Sequence, residues 1–140
     1  MPLTRILVAY ANYDKEIDYC QGMNYIAGVF LIVLKDEFLA FLALYYIMFS
    51  INWRSIYAKN LGKLKNLLEI IDRKVFDESP KVWDLMKKQD VKPEGAFSQL
   101  LITIGLYNCP FETACAIMDL YLVEGEKVLY RILLSCIKIN

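Results

Sequence analysis

Tyr19-Cys20-Gln21-Gly22-Met23-Asn24 runs straight into Tyr25-Ile26-Ala27-Gly28-Val29-Phe30-Leu31-Ile32-Val33-Leu34. A neutral amide beside a glycine stands at the mouth of a long apolar run. Within the run Ile26, Val29, Phe30, Val33 and Leu34 share one helical face, while Tyr25, Leu31 and Ile32 make the rest apolar too. A helix apolar all round belongs at the centre of a domain or in a membrane. A central helix is also a stiff support, which a positioned functional group needs.

Outward from this stretch the chain punctuates as all-α. Pro2, Pro80, Pro93 and Pro110 each stand where a helix can begin, and Ser79-Pro80 pairs a capping hydroxyl with a proline at the first helical position. Leu61, Leu64, Leu68, Ile71 and Val75 follow helical spacing, with Lys63, Lys65, Asn66, Glu69, Asp72 and Lys74 opposite. The same spacing recurs in Phe97, Leu100, Leu101 and Ile104, in Ala114, Ile117, Met118 and Tyr121, and in Val128, Leu129, Ile132, Leu133 and Cys136. Gly125 separates the last two, and alternation of period two is never sustained. The pattern predicts about eight helices in a single domain, near 3–12, 22–34, 36–50, 61–77, 80–88, 94–107, 110–123 and 126–138.

Composition excludes several classes of function. With 140 residues, 57% of them hydrophobic, the chain can bury a core of its own. Its 16 basic and 16 acidic residues are interspersed, so no nucleic-acid partner is expected. The absence of histidine removes Ser-His and Cys-His pairs and most zinc sites. Cys20, Cys109, Cys115 and Cys136 show no Cys-x-x-Cys spacing and read as small buried hydrophobes in a reducing compartment. Cys20 has no nearby base to make it a nucleophile. Met1-Pro2-Leu3-Thr4-Arg5 has none of the marks of a secretory leader. Met23–Leu34 and Phe38–Ile51 are apolar but fall short of the roughly 18 to 20 residues of a spanning helix. A cytoplasmic protein is expected, with a membrane hairpin as the alternative. No metal site and no cofactor of its own are expected, and no glycine-rich phosphate loop with lysine is present.

The remaining polar residues divide simply. Trp53 and Tyr57, flanking Arg54, are expected to anchor a loop. Lys63, Lys65, Lys74, Lys87, Lys88 and Lys92 are expected on solvated faces, and Asp14, Glu16 and Asp18 as turn acids rather than a magnesium site. Gln21 is the candidate for chemistry. A carboxamide has an acceptor oxygen and two N–H donors on one plane, so it can accept from a water while donating to a phosphate oxygen. That orients a water for in-line attack without the protein taking the proton, as a glutamine does in GTPases. Gly22 permits close backbone approach or positive φ, and Asn24 can bond to neighbouring backbone. From the residues alone the plainer reading is preferred, in which Gln21 and Asn24 only satisfy amides at a helix start.

Tyr19-Cys20-Gln21-Gly22-Met23-Asn24-Tyr25-Ile26-Ala27-Gly28 closely resembles the Tyr-x-Gln-Gly-Met-Asn motif of TBC domains, the GTPase-activating domains for Rab proteins. Arg5–Ala11 is similar to the helix before that motif. Asp36-Glu37, Trp53-Arg54 and Pro80 fall in the family's order, Ile117–Gly125 resembles its Ile-Trp-Asp helix and glycine turn, and Val128-Leu129-Tyr130-Arg131 its next helix. The resemblance implies an all-α domain that supplies an arginine and a glutamine finger to a Rab-family small GTPase, with GTP and magnesium held by that partner. By it, Gln21 is the catalytic glutamine that orients the water. Tyr19, Gly22, Met23 and Asn24 shape the loop and meet the partner. Vesicle trafficking and endomembrane surfaces, reached through the partner, follow from the same resemblance.

The sequence departs from that family at the arginine. The family's Ile-x-x-Asp-x-x-Arg motif lies several tens of residues before the glutamine, whereas here 20 residues precede Gln21 and none carries it. Neither Arg5 nor Arg54 matches the finger's place. Residues 1–140 are therefore expected to be a partial TBC domain, its C-terminal two-thirds, lacking N-terminal helices and leaving apolar surface uncovered. Met118 stands where the family usually has tryptophan, and the tryptophan expected around Phe97–Leu101 is also absent.

Overall fold

A computed structural model describes residues 1–139. Its α-helices are α1 (Pro2–Tyr13), α2 (Met23–Leu34), α3 (Glu37–Tyr45), α4 (Gly62–Glu78), α5 (Pro80–Lys88), α6 (Pro93–Ile102), α7 (Phe111–Glu124) and α8 (Lys127–Ile139). No strand occurs among the described residues. The all-α reading holds, and most helix limits fall within two residues of those expected.

Local chemistry explains the starts. Pro2, Pro80 and Pro93 occupy first-turn positions, where a missing N–H costs nothing. Pro110 sits one residue earlier, at the cap of α7. The Asp36 carboxylate accepts from the Leu39 N–H at 2.8 Å and opens α3. Ser79 caps α5 differently from expectation, because its side chain makes no capping bond. Its backbone closes α4 through N–H to the Val75 carbonyl and opens α5 by accepting from Val82 and Trp83.

Two helix ends differ from the periodicity. The helix expected over 36–50 is α-helical only to Tyr45, then widens into a π turn over Tyr46–Ser50. The Ile51 N–H reaches the Tyr46 carbonyl, and Phe49 is turned to stack on Tyr45 at 4.8 Å. A 3-10 turn over Trp53–Tyr57 follows, which spacing alone does not reveal. The helix expected over 94–107 stops at Ile102. Thr103 Oγ1 donates to the Gln99 carbonyl, and Gly105, at φ 73°, returns its N–H to the Leu100 carbonyl. Ile104 takes positive φ in that turn, a conformation costly for a β-branched residue, and is fully buried.

Helix α1 packs across α2 and α3, which pack on each other. Helix α4 packs against α5, α6 and α8, while α7 packs on α8 and touches α2. Met23, Ile26, Leu44, Ile47, Met48, Trp53, Ile71, Leu101 and Tyr121 are fully buried in one core. Trp53 and Tyr57 are buried anchors, as expected, Trp53 meeting Tyr121 edge-on at 5.4 Å.

Helix α2 is central only over its first half. Met23, Ile26, Ala27, Val29 and Phe30 are buried, whereas Ile32, Val33 and Leu34 of the last turn are exposed. Phe38, Leu39 and Leu42 of α3 and Tyr46 of the turn after it are exposed as well. The cysteines are less buried than expected: Cys20, Cys109 and Cys115 are half-buried and Cys136 is exposed. Among the described residues no helix is long and apolar enough to cross a membrane.

Replacing Ile71 by alanine removes a side chain with no exposed surface and is expected to cost about 2–4 kcal/mol in urea unfolding. Phe38, 68% exposed, is the contrast; its alanine variant should stay within about 0.5 kcal/mol of the parent. Equal losses at the two positions would contradict this placement of the core.

Candidate functional site

The loop from Asp14 to Gly22 joins α1 to α2 and carries Gln21 at its end. The Gln21 side chain is exposed. The next residue, Gly22, is buried, with φ 111° and ψ −33°. A Cβ there would lie 2.8 Å from the Ile102 carbonyl oxygen, so only glycine fits between the loop and the end of α6. That carbonyl also accepts the Tyr57 hydroxyl at 2.6 Å. Gln21 is thus held one residue away from a backbone wedge.

Its other neighbours are fixed as well. Asn24 Oδ1 accepts the Gly22 N–H at 3.1 Å, and the Met23 N–H reaches the Cys20 carbonyl at 3.2 Å. Met23 is fully buried and pins the start of α2 to the core. Tyr19 is exposed and, with Leu3, Thr4, Leu7, Val8 and Ala11, lines an apolar depression of about 380 Å³ along α1. Burial, followed by the charges of Asp18 and Asp14, pushes the Cys20 thiol up, so it is a poor nucleophile.

At the other end of the loop Asp14 is the fixed point. Its residue is 4% exposed and lies at the C-cap of α1. Its carboxylate accepts from Arg54 Nε at 2.9 Å, Arg54 Nη2 at 2.8 Å, the Tyr10 hydroxyl at 2.8 Å and the Ile17 N–H at 3.3 Å. Arg54 Nη2 also donates to Glu16 at 2.9 Å, and its guanidinium lies 5.0 Å from the Phe49 ring centroid. The Arg54 bonds hold the Asp14 carboxyl below its ordinary range, and the two acids push the Arg54 guanidinium upward. Burial, then the bond to Asp14, raises the Tyr10 phenol.

Asp14 and Glu16 are turn acids, as expected, but tied down by a guanidinium 40 and 38 positions away. Sequence reading did not find this clamp, the Ile102 carbonyl or the Tyr57 hydroxyl. Nothing in local spacing marks partners so distant. Lys65, Lys87, Lys88 and Lys92 are exposed, as expected, whereas Lys63 and Lys74 are half-buried. Lys63 lies over Trp53 and pairs with Glu126, Lys74 lies over Tyr130, and Lys87 lies over Trp83. In each the ammonium lies over an aromatic ring face, a cation–π contact. Among the described residues no cluster of three metal-ligating side chains is assembled.

A helical core, a glutamine presented ahead of its central helix and a glycine jammed beneath it make a definite signature. The family model of the Rab-GTPase-TBC domain matches residues 2–140, and the chain belongs to that family. Growth hormone-regulated TBC protein 1-A of Danio rerio is 35% identical over 136 residues, covering 97% of this chain and 38% of that protein. Growth hormone-regulated TBC protein 1 of Xenopus tropicalis is 34% identical over 136 residues, covering 97% and 40%. TBC1 domain family member 4 of Mus musculus is 24% identical over 135 residues, covering 96% and 10%. The chain therefore spans about two-fifths of the first two relatives' length.

The loop's supports can each be tested. Gly22→Ala should destabilise the fold by about 2 kcal/mol or more, from positive φ and contact with the Ile102 carbonyl, read as a fall in Tm. Arg54→Met should cost about 3 kcal/mol, because Asp14 stays buried without its cation. Asp14 is more acidic folded than unfolded, so its contribution is complete above about pH 4 and is lost as pH falls through the folded-state value. Urea midpoints from pH 7 to pH 2 should drop less steeply in Asp14→Asn than in the parent; parallel curves would refute the clamp.

Proposed function

We propose that this chain is the glutamine-bearing part of an activator of GTP hydrolysis on a Rab-family small GTPase. The observation that carries the reading is the exposed Gln21 carboxamide standing on a rigid glycine wedge. In this mechanism GTP and Mg²⁺ belong to the GTPase. Gln21 enters beside the γ-phosphate, accepts a hydrogen bond from the attacking water and donates to a phosphoryl oxygen. The cost of ordering that side chain's base is met before the partner arrives, which favours a transition state over a loose encounter.

The loop-shaping roles follow from the contacts. Gly22 sets the path, Asn24 holds the Gly22 N–H, Met23 anchors the helix start, and Tyr19 offers partner contact beside the α1 depression. Gln21 also sits ahead of the N-terminus of α2, a twelve-residue helix whose positive end favours an approaching phosphate. The protein would act on cytoplasmic GTPases and reach endomembrane surfaces through them.

No arginine of this chain is assigned as the second finger. Arg54 is held by the buried Asp14 and by Glu16, Arg5 and Arg131 make exposed pairs with Glu37 and Glu124, and Arg73 is exposed with no ion pair among the described residues. An arginine finger is worth roughly 10³ to 10⁵ in rate. These 140 residues alone are expected to accelerate hydrolysis weakly. The tie of Arg54 to the buried Asp14 favours a second reading, a Rab-binding scaffold without catalysis.

Single-turnover hydrolysis by a panel of Rab proteins separates the two. The activator reading expects a weak acceleration that Gln21→Ala abolishes while Rab binding is kept. Equal acceleration by parent and variant would remove Gln21 from the chemistry. Binding with no acceleration in either would leave the scaffold.

A further inference from the structure

The face shared by α4 and α8 holds a groove of about 400 Å³ that the Gln21 loop does not touch. Lys74 and Glu78 line it from α4, and Lys127, Tyr130, Arg131 and Lys138 line it from α8. In a chain of zero net charge, four cations against one carboxylate are a local excess. The spacing is ordered. Lys127, Arg131 and Lys138 fall four and seven positions apart, which brings them to one side of α8.

These cations are not equally occupied. Lys138 pairs with Glu78, and Arg131 pairs with Glu124 on α7; both are largely exposed and so easily exchanged. Among the described residues Lys74 and Lys127 form no ion pair within 4.0 Å, though the Lys74 charge joins Lys138 in holding the Glu78 carboxyl down. Lys74 is half-buried, with its ammonium 5.7 Å from the Tyr130 ring centroid. That contact positions the charge over the groove. The Ser135 hydroxyl lies on the same wall as a neutral donor. Two packed helices thus hold ammonium, guanidinium and hydroxyl donors around a space the size of a small-molecule site.

We propose that the α4–α8 groove binds a small ligand bearing several phosphate groups. Lys74 and Lys127 are its first contacts, and Arg131 exchanges Glu124 for a phosphate oxygen. Four cations against one carboxylate leave the groove positive, which favours a ligand with more than one phosphate over a single one. The chemistry is shared by a free polyphosphorylated ring and by a phosphorylated lipid headgroup.

Calorimetric titration of the 140-residue chain with inositol hexakisphosphate tests the site. One saturable site is expected, weakening as salt is raised. Lys74→Gln with Lys127→Gln should weaken it by roughly tenfold or more, since two charged hydrogen bonds are lost. Lys88→Gln with Lys92→Gln, an equal charge change elsewhere, should alter it by less than about twofold, and Gln21→Ala should bind like the parent. Thermal melts of each variant confirm folding. Phosphatidylcholine vesicles with and without phosphatidylinositol bisphosphate then assign the source. Phosphoinositide-dependent binding that the groove variant loses points to a headgroup; binding of the soluble ring alone points to a free ligand. No saturable binding to the soluble ring, or equal losses from the two lysine pairs, overturns the proposal. Because Gln21 is tested separately, either result leaves the GTPase reading standing or falling on its own assay.

Discussion

The ion pair between Arg54 and Asp14 is the constraint on which the loop depends. It joins the end of α1 to the 3-10 turn, two points 40 residues apart in sequence. A buried carboxylate is costly unless every lone pair is engaged, and here a guanidinium, a phenol and a backbone N–H engage it. Removing any partner leaves charge or polarity stranded, so the geometry is close to all-or-none. The π turn belongs to the same device. By widening at Tyr46–Ser50 it turns Phe49 beneath the Arg54 guanidinium.

The loop is therefore fixed at both ends, by charge at Asp14 and by sterics at Gly22. Between those points Tyr19 and Gln21 are exposed on a backbone that has little freedom left. This is the opposite of an ordinary surface loop, whose tip is mobile because few groups hold it. A restrained backbone lowers the ordering cost of any contact that the exposed amide makes. A flexible amide would lose in ordering much of what it gained in contact.

The helices were legible because their cause is local. Period 3.6, first-turn prolines and Gly125 act within a few residues, and α1, α2, α4, α5, α7 and α8 appear close to where they were expected. The misplaced end of α6 joins a local cap to a non-local burial. Helix α6 stops at Ile102 because Thr103 and Gly105 close it and burial of Ile104 sustains an unfavourable φ. The exposed last turn of α2 has the same lesson. Ile32, Val33 and Leu34 are as apolar as Ile26 and Phe30, and only the positions of the packed neighbours distinguish them. Lys63 and Lys74 likewise read as solvated until the rings of Trp53 and Tyr130 are found beneath them.

Sequence alone determined the all-α class, the family and Gln21 as the residue worth testing, because each rests on side chains adjacent along the chain. Tertiary structure decided what holds that glutamine. The Ile102 carbonyl under Gly22 and the Arg54 clamp on Asp14 join residues 80 and 40 positions apart, and proximity of that kind exists only after the core has formed. Folding turned a six-residue motif into a rigid projection by closing long loops that no local pattern encodes.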